Sequence, residues 1–156
     1  MFDGTVEAIF VAPEQEAAMV ARDSVRAVPG RGLEGDRYFA GAGSFSNKES
    51  PGRQVTLIEA EAVDALRRDG MEVVAAETRR NIVTRSVPLN HLVDKEFTVG
   101  EVRLRGIKLC EPCAHLERVS GKSVREPLVH RGGLNAEVLT EGIVRVGDAV
   151  VLTEGA

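Results

Sequence analysis

Phe97-Thr98-Val99-Gly100-Glu101-Val102-Arg103-Leu104-Arg105-Gly106-Ile107-Lys108-Leu109 decides the fold class. Apolar and polar residues alternate on both sides of Gly100-Glu101, and glycine first in a two-residue turn fits a type II′ hairpin. Val102 and Leu104 are apolar at even positions, whereas Ile107 and Leu109 are apolar at odd ones. A glycine at such a change of parity predicts a β-bulge at Gly106, a device that re-aims side chains and recurs beside active sites.

Working outward, the same grammar returns. Val144-Arg145-Val146-Gly147-Asp148-Ala149-Val150-Val151-Leu152 reads as a second pair of strands about a Gly-Asp turn. Thr5 to Val11, closed by Pro13, reads as a first strand, Asp23 to Val28 as a short one, and Gln54 to Ile58 as another. Residues 14 to 21 show no clear period. Glu59 to Asp69 is the one convincing helix: its apolar residues share a face, Glu59 and Glu61 open it, Arg67 and Arg68 close it, and Gly70 stops it. One apolar face predicts packing against the outside of a sheet. Many short strands with glycine turns and one good helix predict a mainly β, barrel-like single domain over residues 1–156, with one longer helix and short helical turns.

Composition narrows the function. The chain has 156 residues, 43% hydrophobic and 28% charged, with a net charge of −4. That balance argues against general nucleic-acid binding, which needs a basic surface to displace counterions. No apolar run approaches a membrane span, and the N-terminus lacks a signal-peptide pattern, so the expected location is the cytoplasm. The basic residues comprise sixteen arginines and four lysines. Arginine's planar fork suits phosphate and carboxylate, although high genomic GC content produces the same excess.

Three stretches carry candidate chemistry. Leu109-Cys110-Glu111-Pro112-Cys113-Ala114-His115-Leu116 holds both cysteines and one of the three histidines. Pro112 suits the first position of a helical turn, which sets Cys113 among unpaired amides that favour a thiolate. Cys110 then reads as a packing residue. A thioredoxin-like role for the pair lacks its βαβ setting, and a zinc site lacks a recognised spacing. The second stretch, Glu77-Thr78-Arg79-Arg80-Asn81-Ile82-Val83-Thr84, places donors at the mouth of a strand, where they either receive an anion or stand solvated at the surface. The third is His130-Arg131-Gly132-Gly133-Leu134, where glycine amides beside an arginine form either an anion-binding concavity or a tight loop. Between Pro29 and Arg53 runs a long glycine-rich segment containing Gly32-Leu33-Glu34-Gly35-Asp36-Arg37, which by spacing alone reads as a turn capped by a local ion pair.

The ordered set Gly32–Arg37, Gln54–Ile58, Arg79-Arg80-Asn81-Ile82-Val83, Glu111-Pro112-Cys113, Arg131-Gly132-Gly133 and Val146-Gly147-Asp148 resembles the MOSC domain, named for the C-terminal region of molybdenum cofactor sulfurases. The resemblance covers almost the entire chain. It implies a barrel-like fold that binds the molybdenum cofactor (molybdopterin), with Cys113 as sulfur carrier or molybdenum ligand. Arg79, Arg80, Asn81, Arg131, Gly132, Gly133, Asp36 and Arg37 are the implied cofactor-binding positions. Family members take part in sulfur transfer to metal centres or reduce N-hydroxylated compounds. This chain has no room for the pyridoxal phosphate domain of the large sulfurases, so the expected partners are a sulfur-donor or electron-donor protein in trans and a small-molecule substrate, with a homodimer also open. The competing readings are a non-catalytic module that binds an anionic small molecule or a partner protein, and a C-x-x-C thiol–disulfide protein.

Overall fold

Strands of four to eight residues whose alternate side chains are apolar can bury one face only by closing on themselves or stacking. In the computed structural model, which describes residues 4–13, 18–36, 54–71, 74–110 and 132–153, they do the former. The strands are β1 (Gly4–Val11), β2 (Val20–Arg22), β3 (Ser24–Val28), β4 (Gly32–Leu33), β5 (Val55–Glu59), β6 (Ile82–Arg85), β7 (Glu96–Val99), β8 (Val102–Leu109), β9 (Leu134–Val138), β10 (Gly142–Arg145) and β11 (Ala149–Leu152). Hydrogen-bonded neighbours run β11-β7-β8-β9-β5-β6-β1, and β1 pairs with β11 to close a seven-stranded barrel. Strand β2 extends from β1 outside the ring, while β10, β3 and β4 form a small second sheet.

The barrel is filled by the inward members of each alternation. Val6, Ile9, Leu57, Ile82, Phe97, Val99, Leu104, Leu134 and Val150 are buried in one cluster. Helix α1 (Ala60–Arg68) lies outside, its Ala62, Val63 and Leu66 packed with Ile58 of β5 and Val83 of β6. It ends in a Schellman motif, with Gly70 N–H donating to Arg67 O at 3.0 Å and Met71 N–H to Leu66 O at 3.1 Å, as the Gly70 stop predicts. Strands β5 and β6 pair in parallel, so the helix serves as the crossover that parallel strands require. No helix among the described residues is long and apolar enough to cross a membrane.

The Gly100-Glu101 hairpin is present, with Val99 opposite Val102. The predicted bulge is present too: the β8–β9 register shifts between Gly106 and Lys108. A second hairpin at Gly147-Asp148 is not. Strand β10 pairs with β3 in the small sheet, whereas β11 pairs with β7 and β1 in the barrel. The local sequence is that of a reversal, but Gly147 N–H donates to Val6 O at 2.8 Å and Val146 N–H to Asp23 O at 3.0 Å. The turn thus hands the chain from one sheet to the other.

Candidate functional site

The Arg79-Arg80-Asn81 stretch follows a 3-10 turn, Ala75–Thr78, steadied by Glu77, whose carboxylate accepts Val74 N–H at 3.0 Å, and by Thr78, whose hydroxyl donates to Ala75 O at 2.7 Å. Arg79 leaves the turn in the left-handed region (φ 63). That conformation is uncommon outside glycine, costs about 1 kcal/mol, and persists only where surroundings hold it. It redirects the chain so that both arginines enter the protein, with only 8% of Arg79 and 7% of Arg80 exposed. The solvated-arginine reading is therefore excluded.

Arg80 is a three-way tie. Its Nε donates to Gly132 O at 2.7 Å, Nη1 to Thr78 O at 3.3 Å and Nη2 to Cys110 O at 3.0 Å. Cys110 N–H in turn donates to Gly133 O at 2.8 Å, one rung beyond the last pair of the β8–β9 ladder. The guanidinium thus joins the start of β6 to the ends of β8 and β9. Guanidinium has five N–H groups, so two remain after these bonds. No carboxylate among the described residues pairs with it.

Asn81 is 1% exposed and its amide is engaged on both sides. Oδ1 accepts from Thr56 N–H at 3.1 Å and from Thr56 Oγ1 at 3.2 Å, and Nδ2 donates to Phe10 O at 3.1 Å, pinning β6 between β5 and β1. Gly133 sits where a Cβ would run into Leu57 O, so glycine is what lets β9 begin this close to β5. Asp36 is also 1% exposed; its Oδ1 accepts Ala12 N–H at 3.0 Å, fastening the Gly32–Asp36 turn to the end of β1.

The structure therefore brings Arg80, Gly132, Gly133 and Cys110 together, holds Asn81 beside Arg80 as a strand cross-link, and gives Asp36 a hydrogen bond to Ala12 at the end of β1. Cys113, Arg131 and Arg37 lie outside the described residues. Cys110 is a half-buried free thiol. Among the described residues, no three His, Cys, Asp or Glu side chains gather in a way that could hold a metal ion.

One polar feature has no counterpart in the expectations from sequence. Asn81 is bonded to Thr56, Thr56 stands opposite Asn135, and Asn135 stands opposite Lys108, giving a polar row from the residue before β6 across β5, β9 and β8. Its neighbours Leu57, Leu134 and Ala136 face the barrel core, so the row faces outward. Each polar residue is visible as an out-facing position; their adjacency needs the strand order.

The MOSC domain model matches residues 44–151. The chain belongs to the MOSC domain family. Solved structures agree on the architecture of this MOSC domain. The YuaD protein of Bacillus subtilis superposes with a TM-score of 0.79 at 16% identity, over 97% of this chain and 98% of that one. YiiM of Geobacillus stearothermophilus gives 0.73 at 13% identity over 97% and 75%, and YiiM of Escherichia coli 0.69 at 16% over 97% and 71%. At these identities the likeness is one of fold. No curated protein matches the sequence of this MOSC domain.

Proposed function

We propose that this MOSC domain binds a molybdenum cofactor at the Arg79–Arg80 end of β6 and works through Cys113, in sulfur transfer to metal centres or in reduction of N-hydroxylated compounds. The observation that carries the reading is Arg80, a guanidinium only 7% exposed, with N–H groups to spare and no carboxylate partner among the described residues. A buried charge of that kind is costly unless compensated, and a phosphate-bearing ligand compensates it. The residues fit the group in kind. Arg79, Arg80 and Arg131 supply cationic forks for phosphate, the Gly132 and Gly133 backbone supplies close approach for a polar ring, and the Cys113 thiolate is a soft ligand suited to a metal already bound by sulfur.

When bound, the cofactor supplies a metal centre that exchanges electrons or sulfur. The protein's part is to hold and orient it: Arg80 fixes the Cys110 and Gly132 carbonyls, the two chain ends that flank residues 111–131. Sulfur or electrons then come from a donor protein in trans, in the cytoplasm. Expression in cells able and unable to make the cofactor, followed by metal and pterin analysis, tests the reading. Molybdenum and pterin should accompany the protein only from the competent cells and be lost in Cys113→Ser or Arg79→Ala; equal, near-zero occupancy from both hosts overturns it.

A further inference from the structure

Asn81 falls within the stretch of sequence expected to hold the cofactor, yet its side chain is spent inside the sheet. Phe10 of β1 stands across from it, one rung beyond the Ile9–Ile82 pair, and antiparallel partners at a hydrogen-bonded rung exchange two backbone bonds. Half of that exchange is ordinary, with Phe10 N–H donating to Asn81 O at 2.7 Å. The return bond to Phe10 O comes instead from the carboxamide, whose Nδ2 donates at 3.1 Å. The Asn81 backbone N–H is turned away, toward Thr56 of β5, where it meets O at 3.0 Å and Oγ1 at 3.1 Å. Oδ1 of the same carboxamide accepts Thr56 N–H at 3.1 Å. One side-chain amide thus bridges two strands as the peptide group of a continuing central strand would, while the backbone itself has begun to leave the sheet.

What precedes Asn81 shows the use of that departure. Arg79 takes the left-handed conformation at the end of the 3-10 turn, its N–H donating to Ala76 O at 3.2 Å, and Arg80 is the single residue between that turn and Asn81. From there the Arg80 guanidinium has to meet carbonyls of Thr78, Gly132 and Cys110, so the direction in which the chain enters Asn81 decides whether it arrives. We infer that Asn81 is a positioning residue, whose carboxamide aims Arg80 into the candidate site rather than touching a ligand. Asparagine is what the role demands. Aspartate has the acceptor but no donor for Phe10 O, and glutamine carries its amide one methylene too far for a position only 1% exposed. The inference rests on the cofactor reading only for what Arg80 finally holds.

The test uses the ¹⁵N-labelled full chain from cofactor-deficient cells, because hydrogen exchange at Arg80 Nε–H reports its bond to Gly132 O directly. Asn81→Asp should speed that exchange about tenfold, the equivalent of one charge-assisted hydrogen bond. The amides of Val99 and Leu104, in the barrel core, should exchange as in the wild type. Asn81→Ser, whose short hydroxyl cannot span Thr56 and Phe10, should act in the same way and serves if the aspartate variant does not fold. Thr56→Val is the control: it deletes the hydroxyl, keeps the Thr56 N–H, and should leave Arg80 exchange unchanged. Unchanged Arg80 exchange in a folded Asn81 variant overturns the inference. So does acceleration shared with Val99 and Leu104, equal acceleration in Thr56→Val, or failure of both Asn81 variants to fold, each of which reduces the residue to a strand cross-link. Molybdenum analysis of protein from cofactor-competent cells keeps the two ideas apart, since a wild type without metal overturns the cofactor reading and leaves the Arg80 result standing.

Discussion

Arg80 illustrates how a single side chain can set the geometry of a site without being its reactive group. Its three carbonyl acceptors belong to Thr78, Gly132 and Cys110, the farthest of them 52 residues away in sequence. Removing the side chain takes a donor from the buried Thr78 and Gly132 carbonyls and the half-buried Cys110 carbonyl, so Arg80→Ala should cost about 3 kcal/mol in urea unfolding, and Arg80→Lys should recover less than half, because one nitrogen cannot serve three acceptors on different segments. The contrast is Arg85, which bonds Glu7 at 2.7 Å and Asp64 at 3.1 Å. Those hydrogen bonds raise its pKa above the ordinary guanidinium value, so it stays protonated throughout the neutral range and adds no pH dependence of its own there. Its side chain is 40% exposed, and Arg85→Ala should cost no more than about 1 kcal/mol, less in high salt. A loss at Arg80 no larger than that at Arg85 would mean that the tie is not a structural one. The residue types at 79–81 were legible in sequence as donors. What they would meet was not, since a local window cannot show that Gly132 and Cys110 arrive at the same place.

At the scale of elements, the regular pieces were readable where a local rule governs them and unreadable where pairing does. Helix α1 and its stop follow from a 3.6-residue period and a glycine, and the Gly106 bulge follows from a change of parity. Strand β2 went unseen because its three residues are all exposed and carry no alternation. The turn at Gly147 looked like the one at Gly100, yet its flanking strands join different sheets, a choice made by the partners β3, β7 and β1. The bulge also carries an energetic consequence. Lys95 O accepts Gly106 N–H at 3.0 Å and Asp94 N–H donates to Gly106 O at 2.9 Å, so a second segment docks on the bulge. A Cβ at Gly106 would collide with Leu92 O and press against Leu134 Cδ2 at 3.3 Å. Backbone cannot yield as a flexible side chain can. Gly106→Ala should therefore destabilise the protein by about 2–3 kcal/mol in chemical denaturation, the upper range for an overpacked site. A cost under about 0.5 kcal/mol, the usual bound for a surface substitution, would show that the docking segment is free to shift.

For the molecule as a whole, closure joins the first strand of the described residues to the last. The seam is short, with Gly4 opposite Val150 and Thr5 opposite Ala149, helped by Val6 N–H donating to Asp148 O at 2.8 Å. Strand β11 nevertheless sits between β1 and β7, and Val150 is completely buried in the barrel cluster. Without β11, two strands would present unpaired edges and the core would open on one side, and neither defect can be repaired by the small β10-β3-β4 sheet, whose strands bond one another. The barrel should therefore fold only as a closed unit, because most pairings in the ring, the β7–β8 hairpin apart, join strands distant in sequence. A chain ending at Asp148 should lose its cooperative thermal transition and its dispersed amide spectrum, whereas Val151→Thr, at a position 38% exposed on the same strand, should melt within about 4 °C of the wild type. A truncated chain that still melts sharply near the wild-type temperature would show that six strands and the helix suffice, and that the seam beside β1 is an accessory to the barrel that holds the candidate site.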